Sequence, residues 1–223
     1  MNKTIKNKVI KYNKIKNSKV VIGILLPPYI SNTNTNIKAY LDPTYVKWLS
    51  RANAAVIPIM YNLNKKELLV YLSQINGILL PGGGIDNKKT HSRRQFLIYQ
   101  NTLDYIIKYI KKQNDKGNYY PIWATCMSFQ LLAILEANGK QKNRDDINLD
   151  SISKFGLDKL YIKKDLSHGK LNTLFTKKQK KILKNKHSTY HKHKNSFYLD
   201  NEIIVKLKDK INIIAINKDE KKK

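Results

Sequence analysis

Four short apolar runs punctuate the first 125 residues, and the stretches between them switch to a helical period. Val20-Val-Ile-Gly-Ile-Leu-Leu26 is continuous and rich in β-branched residues, the pattern of a parallel strand covered on both faces. Ala54 to Met60 and Tyr119 to Thr125 read the same way, and Gly77-Ile-Leu-Leu-Pro-Gly-Gly-Gly84 is a strand running directly into a glycine turn. Between the strands, Asp42 suits an N-cap ahead of Pro43, with Tyr45, Val46, Trp48 and Leu49 as the apolar side of a helix. Asn64 and Glu67 have the capping-box spacing for a helix over Leu63 to Leu72. Apolar residues at 96, 97, 99, 103, 106, 107 and 110 predict a long amphipathic helix from Phe96 to Lys112. A fourth helix, Met127 to Leu135, begins where the fourth strand ends at Cys126. Strand and helix alternating four times predict an α/β fold with a doubly wound, mostly parallel sheet.

The last third is less regular. Residues 140 to 170 are polar, with short apolar pieces at Phe155-Gly-Leu157 and Leu160-Tyr-Ile162. Lys177 to Lys186 is a basic stretch, and His187, His191 and His193 sit among lysines, which predicts a solvated loop. Glu202 to Leu207 suits a short helix and Ile211 to Ile216 a strand. There is no internal repeat. The division expected is a basic disordered arm at 1–19, one domain at 20–219 and a charged tail at 220–223.

Composition narrows the function classes. At 223 residues and 41% hydrophobic, the chain can bury one real core. Its net charge of +27 would attract polyanions, but only Arg51, Arg93, Arg94 and Arg144 are arginines. Bidentate phosphate and base recognition favours arginine, so nucleic acid is disfavoured as a partner. Lys, Asn, Ile and Tyr are abundant together and share codons rich in A and T, so genome bias accounts for much of the charge. One cysteine excludes an internal disulfide framework. No apolar run reaches the roughly 18 residues of a transmembrane helix. No targeting segment is evident, so the chain as given reads as cytoplasmic.

Cys126 is the sharpest chemical candidate. At a strand-to-helix junction a tight turn exposes a side chain. Gly82, Gly83 and Gly84 follow a buried strand, and amides of such a turn can hold an oxyanion. No phosphate loop and no dinucleotide fingerprint is present, so no cofactor is expected. The histidines lack cysteine partners at zinc-site spacing, so no metal is expected either. A cysteine hydrolase also needs an imidazole beside its thiol, and His91, His168, His187, His191 and His193 are the candidates.

These stretches together resemble the gamma-glutamyl hydrolases, within the class I glutamine amidotransferase-like cysteine hydrolases. The segments are Val21-Ile-Gly-Ile-Leu25, Tyr40-Leu-Asp-Pro-Thr-Tyr-Val-Lys-Trp-Leu49 and Ala54-Ala-Val-Ile-Pro58. Ile75-Asn-Gly-Ile-Leu-Leu-Pro-Gly-Gly83 and Tyr120-Pro-Ile-Trp-Ala-Thr-Cys-Met-Ser-Phe129 follow. A fainter match runs from Tyr190-His-Lys192 through Phe197 to Ile216-Asn-Lys-Asp219. The resemblance implies cleavage of gamma-glutamyl bonds in folylpoly-gamma-glutamates through a thioester on Cys126. It implies Gly82, Gly83 and Met127 as oxyanion donors and Tyr40, Gln130 and His191 on the substrate side. It also implies a vacuolar, lysosomal or extracellular setting should a signal precede the chain, and it leaves a homodimer open.

Three departures qualify the resemblance. The pattern Gly-x-Cys-x-Gly is here Ala124-Thr-Cys-Met-Ser128, a glutamate four residues past the cysteine is Gln130, and no Trp-His-Pro-Glu segment occurs. The expectation is therefore a C-terminally truncated hydrolase, or a catalytically inactive relative acting as a ligand-binding or assembly protein.

Overall fold

Continuous apolar runs need cover on both faces, and the chain supplies it with helices. In the computed structural model, which describes residues 20–29, 39–83, 90–141, 149–152, 154–162 and 175–218 (side chains of 90–92 excepted), β1 is Val21–Leu26 and β2 is Ala55–Met60. β3 is Gly77–Leu80 and β4 is Ile122–Ala124. They form one parallel sheet in the order β2-β1-β3-β4. The intervening helices are α1, Pro43–Arg51, α2, Lys65–Leu72, α3, Thr90–Asp115, and α4, Met127–Asn138.

The period of two along each strand divides the core. Leu25, Ile59, Ile78 and Leu80 pack with Leu68 and Leu72 of α2, Phe96, Tyr99 and Leu103 of α3, and Met127 and Leu131 of α4. Ile24, Leu26 and Leu79 pack with Tyr45, Val46 and Leu49 of α1. Helices thus lie on both faces, as a doubly wound sheet requires. Each fully buried Leu or Ile contributes roughly 1.5–3 kcal/mol, and that is what holds the site's platform. Gly23 permits a close approach here, since a Cβ would lie 2.6 Å from Ile75 Cδ1 and 2.7 Å from Ile59 Cδ1.

The local capping expectations hold. Asp42 Oδ1 accepts from the Thr44 amide at 2.8 Å, which holds its carboxyl below the ordinary carboxylate range. Asn64 and Glu67 form the reciprocal box. α3 is longer than its apolar period suggests, starting six residues before Phe96 at Thr90. A polar turn propagates a helix already nucleated by the buried face, without packing of its own. It ends before Gly117, whose φ of 80° suits a left-handed cap.

The C-terminal region is built from two small antiparallel ribbons. β5, Lys154–Asp158, pairs with β7, Thr189–His193, and β6, Tyr161–Ile162, pairs with β8, Ala215–Ile216. The basic stretch forms α5, Lys177–Asn185, with Thr176 and Gln179 in a capping box. α6, Glu202–Leu207, packs Ile203 and Leu207 on Ala133 and Ile134 of α4. Two expectations are corrected. His191 and His193 stand on a strand with half-buried side chains, since cross-strand hydrogen bonding with β5 draws in a segment too polar to read as a strand. Of Ile211 to Ile216, only Ala215–Ile216 pairs, because β6 offers two residues.

The 1–19 arm, the 220–223 tail, Gly84 and His168 lie outside the described residues, as does the side chain of His91. Among the described residues no helix is long and apolar enough to cross a membrane.

Candidate active site

The strand-to-helix turn is made by a single residue. Beyond β4 the Thr125 amide still donates to the Leu80 carbonyl at 3.0 Å, and Met127 already begins α4. Cys126 alone changes the chain's direction, with φ 52° and ψ −119°. A non-glycine residue at positive φ costs about 1–3 kcal/mol, so the surrounding sheet and helix over-determine the turn. Such a turn lifts the side chain off the sheet, and Cys126 is exposed. Its thiol makes no helix-capping hydrogen bond, and among the described residues it has no other partner.

The glycine turn lies directly against this elbow. A Cβ on Gly82 would sit 3.1 Å from Cys126 Cβ and 3.4 Å from Tyr45 Oη. One on Gly83 would sit 3.5 Å from Met127 Cε and 3.6 Å from Pro27 Cγ. The two turns meet because β3 and β4 are neighbours in the sheet; the family resemblance implies the same pairing of Gly82 and Gly83 with Cys126.

Two hydroxyls hold the peptide between Pro81 and Gly82. Ser128 Oγ donates to the Pro81 carbonyl at 2.6 Å, and the Gly82 amide donates to Tyr45 Oη at 2.9 Å. Tyr99 Oη lies 2.8 Å from Ser128 Oγ, and with the serine's proton on Pro81 the tyrosine is the donor. Burial pushes the Tyr99 phenol far above its ordinary value, so it stays neutral in that role. Of the three amides expected as oxyanion donors, Gly82 is thus engaged. Those of Gly83 and Met127 have no acceptor among the described residues.

Ser128 and Tyr45 were missed as functional residues. In the sequence Ser128 registered only as a departure from the Gly-x-Cys-x-Gly pattern. Its side chain is instead fully buried and its hydroxyl ties α4 to the glycine turn. Tyr45 read only as part of an apolar helix face. Trp123, three residues before the cysteine, donates Nε1–H to Thr125 Oγ1 at 3.2 Å and meets Trp48 edge-on at 5.4 Å.

Tyr40, Gln130 and His191 occupy different surroundings. Tyr40 is exposed beyond the C-terminal end of β1, its ring 6.2 Å from that of Tyr29. The side-chain amide of Gln130 donates to the Asn195 carbonyl at 2.8 Å, tethering the segment after β7 to α4. An ionised glutamate could not donate there, which gives the amide a reason beyond lost charge. His191 Nε2 lies 3.1 Å from Thr189 Oγ1, and its ring is 5.7 Å from that of His193. Burial, then His193 and Lys154, holds the His191 imidazole below its ordinary value, with Asp158 opposing. Among the described residues no histidine or carboxylate is hydrogen-bonded to Cys126, and no three His, Cys, Asp or Glu side chains gather as a metal site would need.

With this geometry in place, known proteins supply its context. The family described as peptidase C26 matches residues 20–220. Gamma-glutamyl hydrolase B of Dictyostelium discoideum is 39% identical over 122 residues, which are 54% of this chain and 33% of that protein. Human gamma-glutamyl hydrolase is 33% identical over 118 residues, 52% of this chain and 35% of that protein. Probable gamma-glutamyl hydrolase 3 of Arabidopsis thaliana is 29% identical over 143 residues, 58% of this chain and 36% of that protein. The chain spans about a third of the length of these curated relatives. Since the family match runs through the sheet, the elbow and the C-terminal ribbons alike, the chain belongs to the peptidase C26 family.

Proposed function

We propose that this chain is a ligand-binding member of its family, one that holds gamma-glutamyl compounds with their gamma-carbonyl over Cys126. The carbonyl oxygen would lie toward the amides of Gly83 and Met127, and folylpoly-gamma-glutamates are the ligand class that the sequence resemblance implies. The observation that carries this reading is an exposed thiol on a strained elbow beside two amides that have no acceptor among the described residues. The Gly82 amide joins them only by leaving Tyr45. Tyr40, Gln130 and His191 are the candidates for contact with the rest of the ligand. A polyanionic glutamate tail suits a chain of net charge +27, through an attraction that salt screens.

Binding is preferred over turnover for a chemical reason. Thioester hydrolysis needs an acid–base group at the thiol, typically worth about 10²–10⁴-fold in rate. The partners of His191 are instead Thr189, His193 and the β5 strand. Hydrolysis of gamma-glutamyl bonds through Cys126 is the second reading, favoured by the elbow strain, which a passive binding surface does not require.

Calorimetry with a diglutamyl folate, alongside an assay for released glutamate, separates the two. The expected result is binding that weakens with salt and glutamate release no greater than that of Cys126→Ala. Release that disappears in Cys126→Ala establishes hydrolysis. No binding at low salt overturns both readings.

A further inference from the structure

We propose that Tyr45 is a positioning residue of this site, acting with Ser128 to lock the Pro81–Gly82 peptide in one orientation. The proposal rests on the reading of Cys126, Gly83 and Met127 as a gamma-carbonyl site, and deepens it. A trans peptide presents its C=O and N–H on opposite edges. Rotation of this unit turns on ψ of Pro81 and φ of Gly82, and the glycine side gives at little steric cost, so the turn alone leaves its amide directions loosely defined. Here both edges are held, the carbonyl by Ser128 at 2.6 Å and the N–H by Tyr45 at 2.9 Å.

The two hydroxyls come from opposite faces of the sheet. Tyr45 belongs to α1 and packs with Ile24, Leu26 and Leu79. Ser128 belongs to α4 and is backed by the buried hydroxyl of Tyr99 on α3. Rotation of the peptide would break both bonds at once and leave part-buried polar groups unpaired. The orientation of the Pro81–Gly82 peptide in turn restricts where the following Gly83 amide can point. Tyr45 thus acts through the backbone and does not touch the reacting atoms. A phenylalanine at 45 would keep the ring's packing and remove only the acceptor for Gly82.

The test uses an N-acylated glutamate bearing a gamma-aldehyde, with the matching gamma-alcohol as control, on the full chain. The Cys126 thiol adds across the aldehyde. A C–S bond forms, the C=O π pair goes to oxygen, and the thiol proton reaches that oxygen through water. Nothing is oxidised and no group leaves. The alcohol occupies the site without forming the adduct.

Wild type is expected to prefer the aldehyde. Tyr45→Phe should cut that preference about tenfold, less than the roughly 10²-fold of removing an oxyanion donor outright, with alcohol affinity unchanged. Tyr45→Phe combined with Ser128→Ala should fall short of the product of the single effects, since both act on one peptide. A Tyr45→Phe variant that keeps the full preference, or weakens aldehyde and alcohol alike, overturns the positioning role while the site reading stands. No aldehyde preference in wild type sinks the site reading itself, and the positioning role with it. Should the variants fail to fold, amide exchange in wild type decides. Gly82 should exchange more slowly than Gly83, and equal rates overturn the proposal.

Discussion

The parallel sheet and the β5–β7 ribbon set the same lysine-rich chain against water in opposite ways. All four residues of β3 are buried, and its neighbour β1 carries Ile24 and Leu25 at full burial. In the ribbon the apolar residues face outward. Phe155 is 74% exposed, Leu157 62% and Tyr190 60%, while Lys154, Asp158, His191 and His193 form the half-buried side. The elbow therefore rests on a platform stabilised by burial. The ribbon rests on strand pairing and tethers: Gln130 to Asn195, the Phe129–Phe197 ring contact at 6.0 Å, and the Asp150 carboxylate accepting from the Tyr198 amide.

The widest separation between the regions should appear in stability. Leu80→Ala removes a fully buried side chain packed between α2, α3 and α4, and should cost about 2–5 kcal/mol. That is a large part of the roughly 5–15 kcal/mol that holds a typical domain. Leu157→Ala on the ribbon should stay within about 0.5 kcal/mol. Urea titration of both variants measures the difference. Equal costs would mean that the ribbon's apolar face is covered in solution.

This contrast also explains what could be read from the residues alone. The strands of the sheet were legible because each is a continuous apolar run, and Cys126 was legible because the period changes from strand to helix on either side of it. Thr189-Tyr-His-Lys-His193 has no apolar alternation, so its pairing with β5 left no signal in the pattern. The peptide clamp was hidden for a different reason. Tyr45 meets Gly82 across 37 residues, and Ser128 meets Pro81 across 47. Such bonds depend on how α1 and α4 sit on the sheet, and Tyr45 has an apolar ring that fully accounts for it as a helix-face residue. Even Gln130 showed only the charge it lacks and not the carbonyl it reaches.

The tether made by Gln130 gives a second, smaller test of the same contrast. Gln130→Glu exchanges a donor for a carboxylate facing the Asn195 carbonyl, which should cost about 1–3 kcal/mol at that contact. Most of the loss should stay local. Amide exchange should quicken over residues 195–198 and hold steady in β3 and β4. Exchange that quickened equally in the sheet would show that the two regions open together and that the tether supports the elbow as well.

The smallest effect expected is a pH dependence confined to the ribbon. His191 is held below its ordinary value by burial, then by the charges of His193 and Lys154, with Asp158 pulling the other way. Burial and Lys154 act on His193 in the same downward direction. A depressed imidazole binds fewer protons folded than unfolded, so stability rises with pH across this window. The contribution is therefore complete above the unfolded value of about 6.5 and is lost as the pH falls toward the folded values. Asp158 does not offset this, because its hydrogen bond to Lys154 keeps its own carboxyl below the ordinary carboxylate range and hence ionised throughout. Amide protection in β5 and β7 should thus decline between pH 7 and pH 5 while β1 and β3 stay constant. Replacing both histidines by glutamine should flatten the slope. If the decline persists in that double variant, the ribbon's acid sensitivity comes from elsewhere, and the half-buried imidazoles are spectators of the fold.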